Sequence, residues 1–550
     1  MRQTLILLLA ASAVFGASVA GSFHLDDYSL FSRDLWRPLE MRSLTYVTFW
    51  INEQLGGHNP IGYHAVNFAL HLAAVALLFQ ALQRLIPRPA AFLSAAIFAV
   101  HPFVAEPVNY IFERSTILAT IFCLAALLAW TRFLTVAAQY SKPSRDRKGA
   151  VWVTVWFAAA LLCKEECVAF PLFLLLLNLA RQGPMGLRPT DRNREYSERR
   201  GRPPSCPVKS AGGQVRDLPH VARAIGVMLA MSLAAGARVF VAGSAMRGSG
   251  VATQAGISAP AYLLTQGTVI LRYLRMLVIP WGFTVDPDIP LATGTLAFLA
   301  WAVVIGLAWA ASRRFSRLRE GFWFLGGLVL LLPSSSIFPA ADLAADRRMY
   351  LPLIALSVVL GLALSTVQPR AVAVAAIAIL AVLSFVRTQV WRTEESLWTD
   401  AAAKAPRKVR PKIQLARAMG GARGLAILEQ ANSIAPDDPR IASEQGSIAI
   451  SMSNPQQALA DFGRALALEP GSAMAHNNRG VALVMLGQKE AARSDFERAL
   501  SIDPCQFDAR LNLLRLGAAA PGSGGCQFTH QQQAELGLLP LQPQVKELIH

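Results

Sequence analysis

Charge is scarce in this chain. Asp, Glu, Lys and Arg make up only 16% of its 550 residues, while 53% are hydrophobic, a balance that excludes a soluble globular protein and calls for a membrane domain. Acids are the scarcer sign, 35 against 52 basic residues. A basic excess gathered in one patch is a mark of nucleic-acid binding. Here much of it sits in short loops between apolar runs, as in the cytoplasmic loops of a polytopic membrane protein, so nucleic acid is excluded as a partner. Cysteine is rare too: Cys123, Cys163, Cys167, Cys206, Cys505 and Cys526 lack the paired spacing of a structural zinc site. Cys163 and Cys167 fall one helical turn apart and read as buried thiols. Cys505 and Cys526 are candidates for a disulfide in an oxidising compartment. No internal duplication of the kind many transporters carry is evident, which argues against a transporter.

The apolar runs themselves read as about eleven spans: residues 1–20, 62–85, a run from 91, 116–133, two short runs within 150–180, then 221–242, 296–311, 322–338, 351–364 and 371–385. The first also fits a cleavable secretory signal, and a retained helix is the preferred reading. Residues 28–60 form a polar, aromatic external loop with Arg33, Arg37 and Arg42 and a short amphipathic helix around 44–55. Residues 181–216, rich in Arg, Pro, Gly and Ser, read as a disordered cytoplasmic loop. Residues 261–280 carry Arg272 and Arg275 on adjacent turns and read as an interfacial helix, followed by a turn-rich external segment with Asp286 and Asp288.

Some charges stand where apolar chain is expected. Asp26 and Asp27 follow the first span. Two adjacent acids suit a general base with its orienting partner, a hard divalent cation, or a merely solvated turn. His101 and Glu106 interrupt the third apolar run after about fifteen residues, short of a crossing, which sinks both in a protein-lined cavity at the outer end. Lys164, Glu165 and Glu166 separate two runs of about fourteen residues. They either line an aqueous pocket, as functional groups in membranes do, or reach water from a tight hairpin. Arg347 and Arg348 stand in an external loop that runs from Pro339 through Asp342 and Asp346 to Pro352.

Beyond residue 404 the chain changes character. Pro436, Pro470 and Pro504 recur at a spacing of 34, as do Gly446 and Gly480, Ala458 and Ala492, Phe462 and Phe496, and Ala465 and Ala499. This is the tetratricopeptide repeat pattern. Two repeats are clear, 439–472 and 473–506. A degenerate one at 405–438 has Gly424 and Leu428 in place of the Ala and Phe, and residues 508–516 read as a capping helix. The domains are therefore a membrane domain 1–390, a linker 391–404, a repeat domain 405–517 and a loosely ordered tail 518–550. An odd number of spans puts the repeats on the same side as Asp26 and Asp27.

Asp26-Asp27 after the first span, the stretch from Asn59-Pro60 through His64 to Asn67, His101-Pro102 to Glu106, Lys164-Glu165, and Asp346-Arg347-Arg348 to Pro352, all followed by these repeats, together resemble the transmembrane and tetratricopeptide repeat-containing O-mannosyltransferases and their bacterial relatives. The resemblance covers about residues 1–510. It departs at Phe103-Val104-Ala105, where the family often has a second histidine, at Ser115-Thr116, where an aspartate often follows the arginine aligned with Arg114, and at Asp286-Pro287-Asp288.

The resemblance implies an all-α polytopic GT-C helical bundle followed by a tetratricopeptide repeat α-solenoid, in a bacterial inner (plasma) membrane with the repeats on the periplasmic side. It implies an inverting glycosyltransferase that moves a hexose from a polyprenyl-phosphate donor to Ser or Thr hydroxyls of exported proteins held by the repeats. Asp27 is then the base, Asp26 the second choice, and Glu106 binds the sugar or orients the base. His101, Arg114, Lys164 and Glu165 belong to the substrate site. Arg272, Arg275, Arg347 and Arg348 meet the lipid phosphate or else anchor the chain at the headgroups. A divalent cation stays open as a cofactor. The reading from another class is a non-catalytic membrane scaffold whose repeats recruit an exported protein.

Overall fold

The structure is a computed structural model that describes residues 1–30, 35, 42–139, 143–181, 219–245, 256–315, 319–335, 339–340, 342–522, 525–526 and 528–538. Arg33, Arg37, the expected cytoplasmic loop up to residue 218 and Cys206 lie outside these residues. Among the described residues every regular element is a helix. The chain divides into two compact units: residues 1–23, 36–285 and 289–392 form the first, and residues 24–35, 286–288 and 393–550 the second.

The first unit contains α1 (Arg2–Phe15), α2 (Ser43–Gly56), α3 (Pro60–Leu82), α4 (Arg88–Val100), α5 (Ala105–Asn109), α6 (Arg114–Gln139), α7 (Pro143–Leu161), α8 (Phe170–Arg181), α9 (Pro219–Ala245), α10 (Ala259–Val278), α11 (Gly294–Ser312), α12 (Glu320–Leu331), α13 (Tyr350–Thr366) and α14 (Ala371–Val390). Each apolar run is helical, but the expected count of eleven spans is corrected. Seven helices among the described residues are long and apolar enough to cross, or eight if the bent pair Arg88–Val100 and Pro102–Asn109 counts as one. Of the runs read as spans, α8 and α12 are too short, since a 12-residue helix rises about 18 Å against about 30 Å of hydrocarbon, and the apolar part of α7 covers only Gly149–Leu161.

Burial explains the arrangement. α4 is apolar and buried around most of its circumference, from Ala90 and Ala91 to Ala99 and Val100, so it sits at the core rather than at the lipid face. It packs on α13 at Gly361, where any Cβ would run into Ser94. α1 turns Leu7, Ala11, Val14 and Phe15 inward. α3 starts at Asn59, whose side chain accepts from Ile61 N at 3.1 Å, with Pro60 in the first turn. α10 buries Tyr262, Gln266, Val269, Tyr273 and Met276, the single stripe of an amphipathic helix.

The short helix expected around 44–55 is α2. Its start is held to the turn after α7 by three contacts: Leu44 N to Leu162 O (3.2 Å), Thr45 Oγ1 to Cys163 O (3.1 Å), and the fork of Arg42 on the Glu165 carboxylate (2.5 and 3.1 Å). Burial raises the Glu165 pKa, but the Arg42 charge and hydrogen bonds outweigh it and bring the carboxyl from its ordinary 4.5 to about 2.

In the second unit the residues read as a linker are instead mostly helix α15 (Glu394–Lys404), opened by a Thr393/Ser396 capping box and burying Leu397, Trp398 and Ala401. The repeats follow as helix pairs: α16 (Val409–Met419) with α17 (Gly421–Ile434), α18 (Pro439–Ser451) with α19 (Pro455–Leu468), and α20 (Ala473–Met485) with α21 (Lys489–Ile502). The 34-residue period has a steric origin. Gly446 and Gly480 leave room for Phe462 and Phe496, whose rings lie within 3 Å of where a Cβ would be. Asp438 and Ser472, also 34 apart, cap α18 and α20 through Arg440 N and Ala475 N. Capping helix α22 (Phe507–Arg515) ends the stack. Cys505 and Cys526 form a disulfide, and the segment read as loosely ordered includes a short helix, α23 (His530–Glu535), with a Thr529/Gln532 capping box.

Gly480→Val forces a side chain into the Phe496 ring and is expected to cost about 1–3 kcal/mol in the unfolding of the repeats, followed by circular dichroism on the whole chain. Gly463→Ala, where a Cβ meets nothing within 4 Å, is the control and is expected not to destabilise. For the α2 clamp, a depressed carboxyl pKa means stability present above about pH 4.5 and lost as pH falls towards 2. The difference in melting temperature between wild type and Glu165→Gln is therefore expected to shrink between pH 6 and pH 3.

Candidate functional site

The first unit collects buried charge at places where its helices break. After α4 the chain bends by 49° into residues 102–109, the kind of break that proline imposes, here at Pro102. This delivers Glu106, 3% exposed. The 3₁₀ turn Ile111–Glu113 delivers Glu113 at the start of α6. Lys164 sits between α7 and α8 just before the 3₁₀ turn Glu165–Ala169. The 3₁₀ turn Asp346–Met349, ahead of α13, delivers Arg347 and Arg348.

These groups meet in one chain. Arg347 donates from Nη1 to Glu106 Oε1 at 2.9 Å, pairs through Nε with Glu113 Oε1 at 3.1 Å, and reaches Asp342 Oδ2 through Nη2 at 3.4 Å. Lys164 Nζ donates to Glu113 Oε2 at 2.7 Å and to Thr116 Oγ1 at 2.6 Å. Thr116 in turn donates to Glu113. Lys164 also pairs with Glu166 at 3.5 Å. Buried at 4% exposure, Lys164 is a member of an internal network and not the tip of a water-exposed hairpin. The second oxygen of Glu106, Oε2, is buried and has no hydrogen-bond partner among the described residues. An acceptor left in that state costs about 1–3 kcal/mol and is available to a ligand hydroxyl.

The arginine turn is fixed from two sides. Tyr273 OH donates to Ala345 O and accepts from Ala345 N, both at 2.9 Å. Asp346 takes Arg272 Nη1 at 2.8 Å and Thr284 N at 3.1 Å. Arg272, expected at a lipid phosphate, is therefore committed to Asp346 and to Gly282 O at 3.2 Å. Arg275 is exposed and takes no part in the network.

Arg114 and His101, both expected in the substrate site, hydrogen-bond to other parts of the chain. Arg114 is completely buried and uses its fork on Asn67 Oδ1 (2.7 Å), Asn52 Oδ1 (2.6 Å), Thr48 O (3.1 Å) and Tyr63 O (2.9 Å), with Phe49 under the guanidinium at 4.5 Å. It ties α2, α3 and α6 together. His101 accepts from Phe103 N at Nδ1 and reaches Leu277 O through Nε2, each at 3.2 Å. That fixes the neutral tautomer with both nitrogens in use, and the ring stacks on Phe103 at 5.1 Å. Glu165 is held by Arg42.

Asp26 and Asp27 lie in the second unit, on the 3₁₀ turn Leu25–Leu30. Asp27 is fully buried and accepts from His24 N at 2.9 Å, a side-chain cap on its own turn. Asp26 is exposed. Leu25, just before them, has φ 52°, a left-handed conformation that costs a non-glycine residue about 1–3 kcal/mol. As for a metal, no group of three or more His, Cys, Asp or Glu among the described residues is placed to hold one.

The order of residues does not single out the centre of the network. Glu113 was visible as an acid at the mouth of a span, and Asp342 and Asp346 as acids beside the arginine pair. The only signal for their importance was that buried cations need anions. Arg42, Thr116 and Gln266 carried no signal.

A tetratricopeptide repeat family model matches residues 443–506. Protein O-mannosyl-transferase Tmtc3 of Drosophila melanogaster is 27% identical over 425 residues, 65% of this chain and 44% of that protein. Protein O-mannosyl-transferase TMTC4 of Mus musculus is 25% identical over 423 residues, 66% of this chain and 53% of that one. Over a shorter stretch, 144 residues or 23% of this chain and 19% of the other, protein O-mannosyl-transferase TMTC4 of Homo sapiens is 34% identical. The chain thus spans about half the length, or less, of these curated relatives. It is a membrane protein with tetratricopeptide repeats, and a relative of proteins named protein O-mannosyl-transferase.

Proposed function

We propose that the chain is a GT-C type, inverting membrane glycosyltransferase that transfers a mannose-like hexose from a polyprenyl-phosphate donor to Ser or Thr hydroxyls of exported proteins, with the repeats engaging the acceptor. The observation that carries this reading is Glu106: a carboxylate buried in an apolar unit, oriented by Arg347 and with one oxygen uncommitted among the described residues. Retaining such a group costs stability, which function repays. The names of the relatives point to the same chemistry.

In the proposed step the acceptor oxygen bonds to the anomeric carbon as the bond from that carbon to the phosphate oxygen breaks. The lipid phosphate leaves with the electron pair, and the hydroxyl proton passes to a carboxylate. Asp27 takes the proton, with Asp26 as the second choice. A base in place contributes roughly a hundred- to ten-thousandfold. Glu106 accepts a sugar hydroxyl at Oε2, and Glu113, itself held by Lys164, fixes Arg347 so that the Glu106 carboxyl stays aimed. The phosphate is met by an arginine of the Asp346–Met349 turn. The reaction takes place on the extracytoplasmic side. The Cys505–Cys526 disulfide in the second unit supports that placement of the repeats, since such bonds persist in oxidising compartments.

Two variants test the assignment with purified protein, a polyprenyl-phosphate hexose and an acceptor peptide. Asp27→Asn is expected to lose transfer about a hundredfold or more at unchanged melting temperature; transfer above half of wild type would place the base elsewhere. Glu106→Gln is expected to cut transfer while folding, whereas Arg347→Met, which leaves two acids buried beside each other, is expected to lose about 3–5 kcal/mol of stability. Equal melting of the two variants in detergent would contradict the role given to Arg347.

A further inference from the structure

Among the described residues, Arg348 stands beside the acid chain without an ion pair of its own. Arg348 is half-buried, and among the described residues its partners are uncharged. Nη2 donates to Asp342 O at 2.8 Å, and Nη1 to Leu343 O at 3.4 Å and to Tyr262 OH at 3.5 Å. A guanidinium carries five N–H donors and the two longer contacts are weak, so donor capacity is left over. A half-buried cation without a counter-charge is costly. Arg347 and Arg272 are committed to Glu106, Glu113 and Asp346.

A second observation points to the same place. Gln266 lies four residues after Tyr262, on the same face of α10, and is completely buried. Its Nε2 donates to Leu343 O at 3.1 Å, the carbonyl that Arg348 also meets. Its Oε1 is buried and has no partner among the described residues. The Tyr262 hydroxyl that Arg348 meets is itself fixed by donating to Ser334 O at 2.8 Å. Arg348 and the Gln266 amide thus both donate to the Leu343 carbonyl, each with a polar group to spare.

We propose that Arg348 and Gln266 form a subsite for a glycosyl phosphate: the guanidinium binds phosphoryl oxygens and Gln266 Oε1 accepts a hydrogen bond from a sugar hydroxyl. The origin of that ligand as a lipid-linked donor rests on the function proposed above. The recognition itself is the same for a lipid-borne and a free sugar phosphate.

Equilibrium binding to the purified full-length chain in detergent tests this without turnover, using polyprenyl-phosphate mannose, polyprenyl phosphate and mannose 1-phosphate. Arg348→Met is expected to weaken all three by about tenfold or more. Gln266→Leu is expected to weaken the two mannosylated probes roughly three- to tenfold and to leave polyprenyl phosphate unchanged. Arg319→Gln, at an exposed arginine, is the control. Wild-type affinity of Arg348→Met for polyprenyl phosphate would overturn the anion contact. Equal weakening by Gln266→Leu of polyprenyl phosphate and its mannoside would overturn the sugar contact. Should Arg348→Met not fold, Arg348→Lys decides: it keeps the charge but not the fork, and undiminished binding would again overturn the contact. Mannose 1-phosphate binding as tightly as the lipid-linked sugar supports the subsite and shows that the headgroup alone is read; weaker binding supports it with the lipid as the source. Loss of transfer elsewhere in the chain with this binding intact counts against the proposed reaction, not against the subsite.

Discussion

A single guanidinium shared by two carboxylates in an apolar interior constrains the first unit more than any other contact. Arg347 sits between Glu106 and Glu113, and Lys164 supports Glu113 from its other oxygen. Remove the cation and two acids are left facing each other out of water, at several kcal/mol each. Keep it, and three distant parts of the sequence, around residues 106–113, 164 and 342–347, must arrive at one place. The charges arrive there at breaks in the helices: the bend at Pro102, the 3₁₀ turns at 111–113 and 346–349, and the turn between α7 and α8.

The same demand explains why the neighbouring charges differ in role although they look alike. Arg114, Arg272 and Arg42 are each answered by fixed partners, and what they fix is a helix junction, the Asp346 loop and the start of α2. Their contribution is to hold the geometry of the groups that retain spare capacity. Those are Glu106, with one oxygen uncommitted among the described residues, and Arg348, with no acid partner among them. Uncommitted polar atoms inside an otherwise satisfied network are where a ligand gains most, because the protein has already met the cost of desolvating them.

The sequence made some of this legible. Spans, repeats and the 34-residue period were visible because burial and steric fit impose periodicity: Gly480 must be small for Phe496 to fit, and a period of exchange between small and aromatic residues can be read without coordinates. Glu106 and Lys164 were visible because charge inside apolar runs has no cheap explanation. Partner choice was not visible. Nothing in the order of residues says that Arg114 is used up on Asn52, Asn67 and Tyr63, that both nitrogens of His101 serve the backbone, or that Arg42 reaches Glu165 across 123 positions. The span count differs because α8 and α12 are apolar enough to be read as crossings but have only 12 residues each, and the apolar part of α7 begins only at Gly149.

The most direct test of the account is quantitative mass spectrometry of Ser- and Thr-containing peptides from exported proteins of cells with the intact gene, without it, and with Glu106→Gln in its place. The account predicts a hexose on a defined set of peptides that is absent without the gene and strongly depleted in the variant. An identical set of glycopeptides in all three would contradict the transferase reading and leave the chain as a membrane-anchored repeat scaffold.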